Sequence, residues 1–176
     1  MKKIENALVI LAGGKGSRLN KPIPKQFIQI NGENLIHFFL KRMDINNFDI
    51  ILIVHKNSYF NHIIKLKNDF PSIKFLFANS GKNRQLSSFN ALKKLSPYKP
   101  KNVLIHDAAR PFCSNKLIVK LIKQLNNNDS VIPYTLNHDK KIFSKVEVTN
   151  TIKFIQTPQG FKFKIIYNAH KKTLLE

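Results

Sequence analysis

A short, uniformly apolar run, Ala7 to Ala12, is followed at once by Gly13-Gly14-Lys15-Gly16-Ser17-Arg18. This junction narrows the available folds more than any other feature of the chain. Apolar residues in a row, without alternation, suit a strand buried on both faces, as in the middle of a parallel sheet. The glycines that follow mark a tight exit from that strand. The same beat then recurs. Strands are expected at Ala7–Leu11, Asp49–Val54, Ile73–Phe77, Val103–Ile105 and Ser130–Tyr134. Helices are expected between them at Glu33–Met43, Ser58–Asn68, Gln85–Leu95 and Asn115–Leu125, the last capped by Ser114. From 135 to 155 the helical period fades and Val146-Glu147-Val148 alternates, so an extended arm or hairpin should leave the domain there. A last helix is expected near Lys162–Leu174. Repeated strand–helix units predict an α/β fold: a mostly parallel sheet with helices on both faces, in three layers. At 176 residues the chain has material for one domain, 1–176, with one core.

In such sheets ligands gather at the carboxyl ends of the strands. Three of the six glycines fall in the first of these loops. Glycine lets backbone N–H groups approach an anion closely, and Lys15 and Arg18 add positive charge, so this loop is read as a phosphate cradle. It is neither a P-loop nor the dinucleotide fingerprint: Gly16 follows the lysine, and Leu19 stands at the third glycine position. Seven residues past Arg18, Pro22 and Pro24 stiffen the chain around Lys25 and aim it. After the third strand, Ser80-Gly81-Lys82-Asn83-Arg84 opens a helix that carries Ser87-Ser88. After the fourth comes His106-Asp107-Ala108-Ala109-Arg110-Pro111. An acid at a strand end, facing a triphosphate, suits Mg²⁺; the alternatives are a helix cap or an Asp–Arg ion pair.

Composition removes other classes. The single cysteine, Cys113, excludes an internal disulfide framework and a cysteine-based zinc site, and is read as a small, inert apolar residue. The longest apolar run has six residues, far below the ~20 a bilayer needs. A soluble cytoplasmic protein with no membrane partner is expected. The net charge of +20 invites a nucleic-acid reading. However, 26 of the 30 basic residues are Lys and only 4 are Arg, and Lys, Ile and Asn are in excess along the whole chain. We read compositional bias, and nucleic acid as an unfavoured partner. His55 and His62 are spaced wrongly for one metal on a helix, and His37 is expected to be partly buried.

Read in order, AGGKGSR, PKQ, GxxR with a following Ser, HDAARP and QTPQGF resemble the 2-C-methyl-D-erythritol 4-phosphate cytidylyltransferase family over essentially the whole chain. The resemblance implies a Rossmann-like nucleotidyltransferase fold, with an arm at about 135–155 that helps form a homodimer. It implies the reaction of CTP with methylerythritol phosphate to give the CDP-alcohol and pyrophosphate, a step of non-mevalonate isoprenoid synthesis. Carried over, Ala12, Gly13, Gly14, Gly16 and Lys25 would hold the triphosphate, with Arg18 and Lys25 catalytic. Gly81 and Ser87 would contact the nucleoside, Asp107 would bind Mg²⁺, and Arg110, Asn137, Thr149 and Thr157 would lie by the alcohol phosphate. Two positions depart from the pattern. Asn137 closes Pro133-Tyr134-Thr135-Leu136-Asn137 where the family has an Asp-Thr pair, and Thr149 stands where an Arg is frequent. The family continues for roughly fifty residues past Glu176, so a C-terminally incomplete domain is expected, and the arm is similar to that of versions fused to the cyclodiphosphate synthase. The rivals are a ribitol 5-phosphate cytidylyltransferase of the same fold, a basic nucleic-acid binder and an inactive fragment.

Overall fold

The computed structural model describes residues 3–14, 23–137, 141–143, 146–148 and 152–173. Strands β1 (Asn6–Leu11), β2 (Ile50–His55), β3 (Lys74–Asn79) and β4 (Asn102–Asp107) run parallel. Between them lie helices α1 (Leu35–Arg42), α2 (Arg84–Leu95) and, after β4, α3 (Asn115–Gln124). Short β5 (Ser130–Val131) follows, then β6 (Tyr134–Asn137), β7 (Ile152–Ile155), β8 (Gln159–Lys162) and α4 (Phe163–Thr173). The main sheet has the order β3–β2–β1–β4–β8–β5.

The alternation of side chains along each strand sorts the core into two slabs. Leu8, Ile10, Ile51, Ile53 and Leu104 point to one face, where α1 and α3 bring Ile36, Phe39, Ile118 and Leu121. Ala7, Val9, Ile50, Leu52 and Val103 point to the other, covered by Ala91, Leu92 and Leu95 of α2 and Phe163 of α4. The expected three layers are therefore present. Asn34, Asn83 and Ser114 each cap a helix by accepting from backbone N–H groups of its first turn.

The structure corrects the expected elements in three places. The helix expected over Ser58–Asn68 is a 3₁₀ segment, Asn57–His62, and one α-turn, Leu66–Asp69. Ser, Tyr, Phe, Asn, His and Ile are mediocre helix formers, and Lys56 supplies no side-chain cap, so burial of Ile63 and Leu66 sets the path instead. The strand expected over Ser130–Tyr134 splits at Pro133, which cannot donate to a ladder. β8 was not expected at all. It runs antiparallel between β4 and β5, and Gly160 lets it lie close to Leu125, whose Cδ1 would be 3.1 Å from an added Cβ.

The arm is a hairpin. β6 and β7 pair antiparallel from Tyr134↔Ile155 to Asn137↔Ile152, and Lys141–Phe143 pairs with Val146–Val148 further out.

Candidate active site

The chain winds from β1 outward through β2 to β3, then returns to place β4 on the other side of β1. That reversal opens a crevice at the carboxyl ends of β1 and β4, the usual ligand position in such sheets. Leu11 and Asp107 are paired across these ends. The glycine loop and the acidic strand end, 95 residues apart in sequence (107 minus 12), thus adjoin.

On the β1 side, Ala12 is buried and its N–H donates to the Val54 carbonyl at 2.8 Å. Gly13 passes over the end of β2 to touch Ser80; an added Cβ would sit 2.3 Å from the Ser80 Cβ, so only glycine fits. Gln26, 4% exposed, latches the loop from below. Its Nε2 donates both protons, to the Ala12 carbonyl at 2.8 Å and the Gly14 carbonyl at 2.9 Å. Pro24 precedes the 3₁₀ turn Lys25–Phe27, so the Gln26 latch also fixes the backbone of Lys25 beside the glycine loop. Gly16, Arg18 and Thr149 lie outside the described residues.

The loop after β3 is closed by its own residues. The Gly81 N–H donates to Ser87 Oγ at 3.0 Å, and that hydroxyl donates to the Asn83 carbonyl at 2.8 Å. A Cβ on Gly81 would meet the Leu86 Cβ at 2.4 Å. Arg84, the first residue of α2, leans across the crevice. Its Nε donates to Asp107 Oδ1 at 3.3 Å and its Nη2 to Gln159 Oε1 at 3.1 Å.

Arg110 approaches the other carboxylate oxygen of Asp107, with Nε 3.5 Å from Oδ2, and Nη1 donates to Gln156 Oε1. Gln156 in turn donates to Thr135 Oγ1 at 3.2 Å, tying the base of the hairpin to the crevice. The Asp107 side chain remains 30% exposed, and both arginines are about half exposed, so solvent weakens these pairs and leaves the carboxylate open to exchange. Among the described residues no three His, Cys, Asp or Glu side chains converge on a metal position. The arrangement present is the Asp–Arg ion pair that the sequence left open as an alternative, and a divalent ion at Asp107 would have to share that carboxylate with Arg84 and Arg110.

Thr157 is 9% exposed, and its hydroxyl faces His106 Nδ1 at 3.1 Å and the Asp107 N–H at 3.4 Å. Burial pushes His106 down to about 4, so the ring is neutral at ordinary pH. Of Asn137 the structure describes the backbone, paired with Ile152 in the hairpin. The crevice thus gathers Ala12, Gly13, Gly14, Lys25, Gly81, Ser87, Asp107, Arg110 and Thr157 around one sheet end, with Asn137 further along the hairpin. A separate polar cavity of about 200 Å³, between Asn34, His37, His62 and Asp69, contains none of them.

The family model for 2-C-methyl-D-erythritol 4-phosphate cytidylyltransferase matches residues 6–176. The chain belongs to this family. The cytidylyltransferase of that name from Thermotoga neapolitana is 35% identical over 175 residues, 95% of this chain and 77% of the relative. The bifunctional enzyme IspD/IspF of Pelagibacter ubique is 36% identical over 173 residues, 93% of this chain and 45% of the relative. The crystal structure of 4-diphosphocytidyl-2C-methyl-D-erythritol synthase from Anaerococcus prevotii superposes with a TM-score of 0.81 at 28% identity, covering 98% of this chain and 77% of that one. The nucleotidyltransferase fold and the cytidylyltransferase class expected from the sequence both hold.

Within this cytidylyltransferase framework four crevice residues escaped sequence reasoning as site members: Gln26, Arg84, Gln156 and Gln159. In the sequence each stands only as a letter inside a motif. The signal that could find them is their adjacency to glycine or Pro landmarks; apart from the Phe154 carbonyl beside Gln156, their side-chain partners are 12 to 75 residues away.

Proposed function

We propose that this chain transfers the cytidylyl group of CTP to 2-C-methyl-D-erythritol 4-phosphate, within non-mevalonate isoprenoid synthesis. A phosphate oxygen of the alcohol phosphate attacks the α-phosphorus of CTP. The bond to the β-phosphate breaks, pyrophosphate leaves, and 4-diphosphocytidyl-2-C-methyl-D-erythritol forms. Such a transfer needs positioning and charge neutralisation more than covalent help from the protein.

The observation that supports this reading is the Leu11↔Asp107 register, which brings the start of the glycine-rich loop beside a carboxylate flanked by two guanidinium groups. In the proposed scheme Ala12, Gly13, Gly14 and Gly16 present backbone N–H groups to the triphosphate, and Arg18 and Lys25 neutralise charge as the α-phosphorus is attacked. The Gly81–Ser87 loop receives the nucleoside. Arg110, with Asn137, Thr149 and Thr157, borders the alcohol phosphate. Asp107 would hold Mg²⁺, which when bound would supply positive charge to the phosphates. The hairpin exposes Tyr134, Leu136, Phe154 and Ile155, a set of apolar side chains that suits burial against a second copy, and we propose a homodimer formed there. Among the described residues no helix is long and apolar enough to cross a membrane, and cytoplasmic action is proposed.

The test is turnover of the full chain with CTP and Mg²⁺ against a panel of alcohol phosphates, followed by ³¹P NMR. Pyrophosphate release with methylerythritol phosphate, lost in folded Lys25→Ala, supports the scheme. Preference for ribitol 5-phosphate, or a Lys25→Ala variant with near-normal rate, overturns the part concerned.

A further inference from the structure

We propose that His106 is a positioning residue for the transfer reaction, holding together the turn that carries Asp107 and Arg110 and the segment that carries Thr157. The inference rests on the catalytic reading above and adds a residue that touches neither substrate.

His106 lies near the end of β4, 1% exposed, with its ring stacked on Phe39 at 4.5 Å between centroids. Its neighbours Val103, Leu104 and Ile105 are ordinary apolar core, and a leucine would fill this place without the cost of burying two ring nitrogens. Both nitrogens have partners. Nε2 is 2.9 Å from the Arg110 carbonyl oxygen. A carbonyl can only accept, so Nε2 carries the hydrogen. In a neutral ring Nδ1 is then the acceptor, and the Thr157 hydroxyl, 3.1 Å away, must donate to it. With its proton committed there, Thr157 Oγ1 offers lone pairs to the Asp107 N–H at 3.4 Å.

One side chain thereby sets three directions. The Nε2 arm fixes the carbonyl of Arg110, reinforcing the turn closed by the Arg110 N–H on the Asp107 carbonyl at 3.0 Å. The Nδ1 arm fixes the rotamer of Thr157, and through it the backbone of Asp107. The guanidinium of Arg110 and the carboxylate of Asp107 start from backbone atoms that this ring holds, which is how a buried group can govern a crevice it does not enter. The hydroxyl proton of Thr157 thereby points into the core, so that proton is not what Thr157 offers where it borders the alcohol phosphate.

The two arms can be cut separately. A glutamine amide reaches the position of ring Nε2, whereas an asparagine amide reaches only that of Nδ1. His106→Gln should keep the Arg110 arm: KM for the alcohol phosphate stays within about twofold while kcat falls about tenfold, the size of one lost buried hydrogen bond. His106→Asn should keep the Thr157 arm and raise KM for the alcohol phosphate about tenfold, with KM for CTP little changed. A purely structural histidine predicts something else: all variants lose stability together, and the folded fraction keeps wild-type kcat and KM. That result would overturn the proposal. A second readout does not depend on turnover. In ¹⁵N-histidine NMR of the wild-type chain at neutral pH, His106 should be protonated at Nε2 and bare at Nδ1, and Thr157→Val should shift the Nδ1 signal. A hydrogen on Nδ1, or no response to Thr157→Val, refutes the assignment. If the NMR pattern holds but no substrate turns over, it is the catalytic reading that fails, and the two failures are told apart.

Discussion

Replacing Gln26 by leucine should loosen the glycine loop while leaving the surrounding packing nearly intact. Leucine matches most of the volume of the buried side chain but offers no donor. Two carbonyls then lose their partner, those of Ala12 and Gly14. Gly14 is exposed and its carbonyl can turn to water, whereas Ala12 is 1% exposed. The stranded Ala12 carbonyl costs about 1–3 kcal/mol, and the Gly14 bond adds a few tenths, so about 2 kcal/mol is expected in all. For a chain of this length that lowers Tm by about 4–8 °C. Nucleotide binding suffers separately. A free loop must be reordered when the triphosphate arrives, and fixing even one backbone residue costs about 1–2 kcal/mol. CTP affinity should therefore drop by about tenfold or more. Thermal unfolding followed by circular dichroism reads the first effect, and calorimetric titration of the folded variant with Mg–CTP reads the second. If Gln26→Leu melts within a degree of wild type and binds CTP as tightly, the latch is not what orders the loop.

Gly81→Ala should be more damaging than an ordinary surface glycine substitution, because the new Cβ falls 2.4 Å from the Leu86 Cβ and 2.8 Å from the Leu86 carbonyl carbon. About 1–3 kcal/mol of overpacking is expected in urea unfolding, with weaker nucleotide binding; a neutral variant would contradict the close approach. Stability should also fall in mild acid. The folded His106 is held down to about 4 by burial, against 6.5 when exposed, so the unfolded chain takes up the proton first. The contribution is complete above pH 6.5 and disappears as pH falls toward 4, a loss of about 3 kcal/mol, which His106→Phe should remove from the pH profile of unfolding. Burial pushes the Cys113 thiol up to about 11, leaving roughly one thiolate in a thousand at pH 8. A disulfide reagent should label the folded chain far more slowly than the urea-unfolded one, and equal rates would refute that protection.

Local chemistry made much of this molecule legible. β1 and β2 could be read because runs such as Ile50-Ile51-Leu52-Ile53-Val54 suit nothing but a doubly covered strand. The crevice could be found because glycine, Asp107 and Arg110 stand directly after such runs. What stayed hidden depends on tertiary partners. Gln159-Gly160-Phe161-Lys162 shows no strand pattern, and it forms β8 because β4 and β5 leave a gap that its backbone fills. The segment from 57 to 69 has apolar residues at helical spacing yet lacks a cap and strong helix formers, so the period alone misled. The Gln26 latch reaches 14 residues back and one arm of His106 reaches 51 residues on, to Thr157, and sequence pattern shows neither contact. Arg84 stands in the sequence as the last letter of GxxR, and only the fold shows its guanidinium bridging Asp107 and Gln159.

Calorimetric titration of the full chain with CTP, UTP, ATP and GTP, each with Mg²⁺ at near-physiological salt, tests most directly whether the crevice between β1 and β4 is a cytidine triphosphate site. Saturable binding that prefers CTP and weakens without Mg²⁺ is the predicted result. Weak binding that ignores the base and vanishes as salt rises would mean that the net charge of +20, not the glycine loop and Asp107, governs what this protein holds.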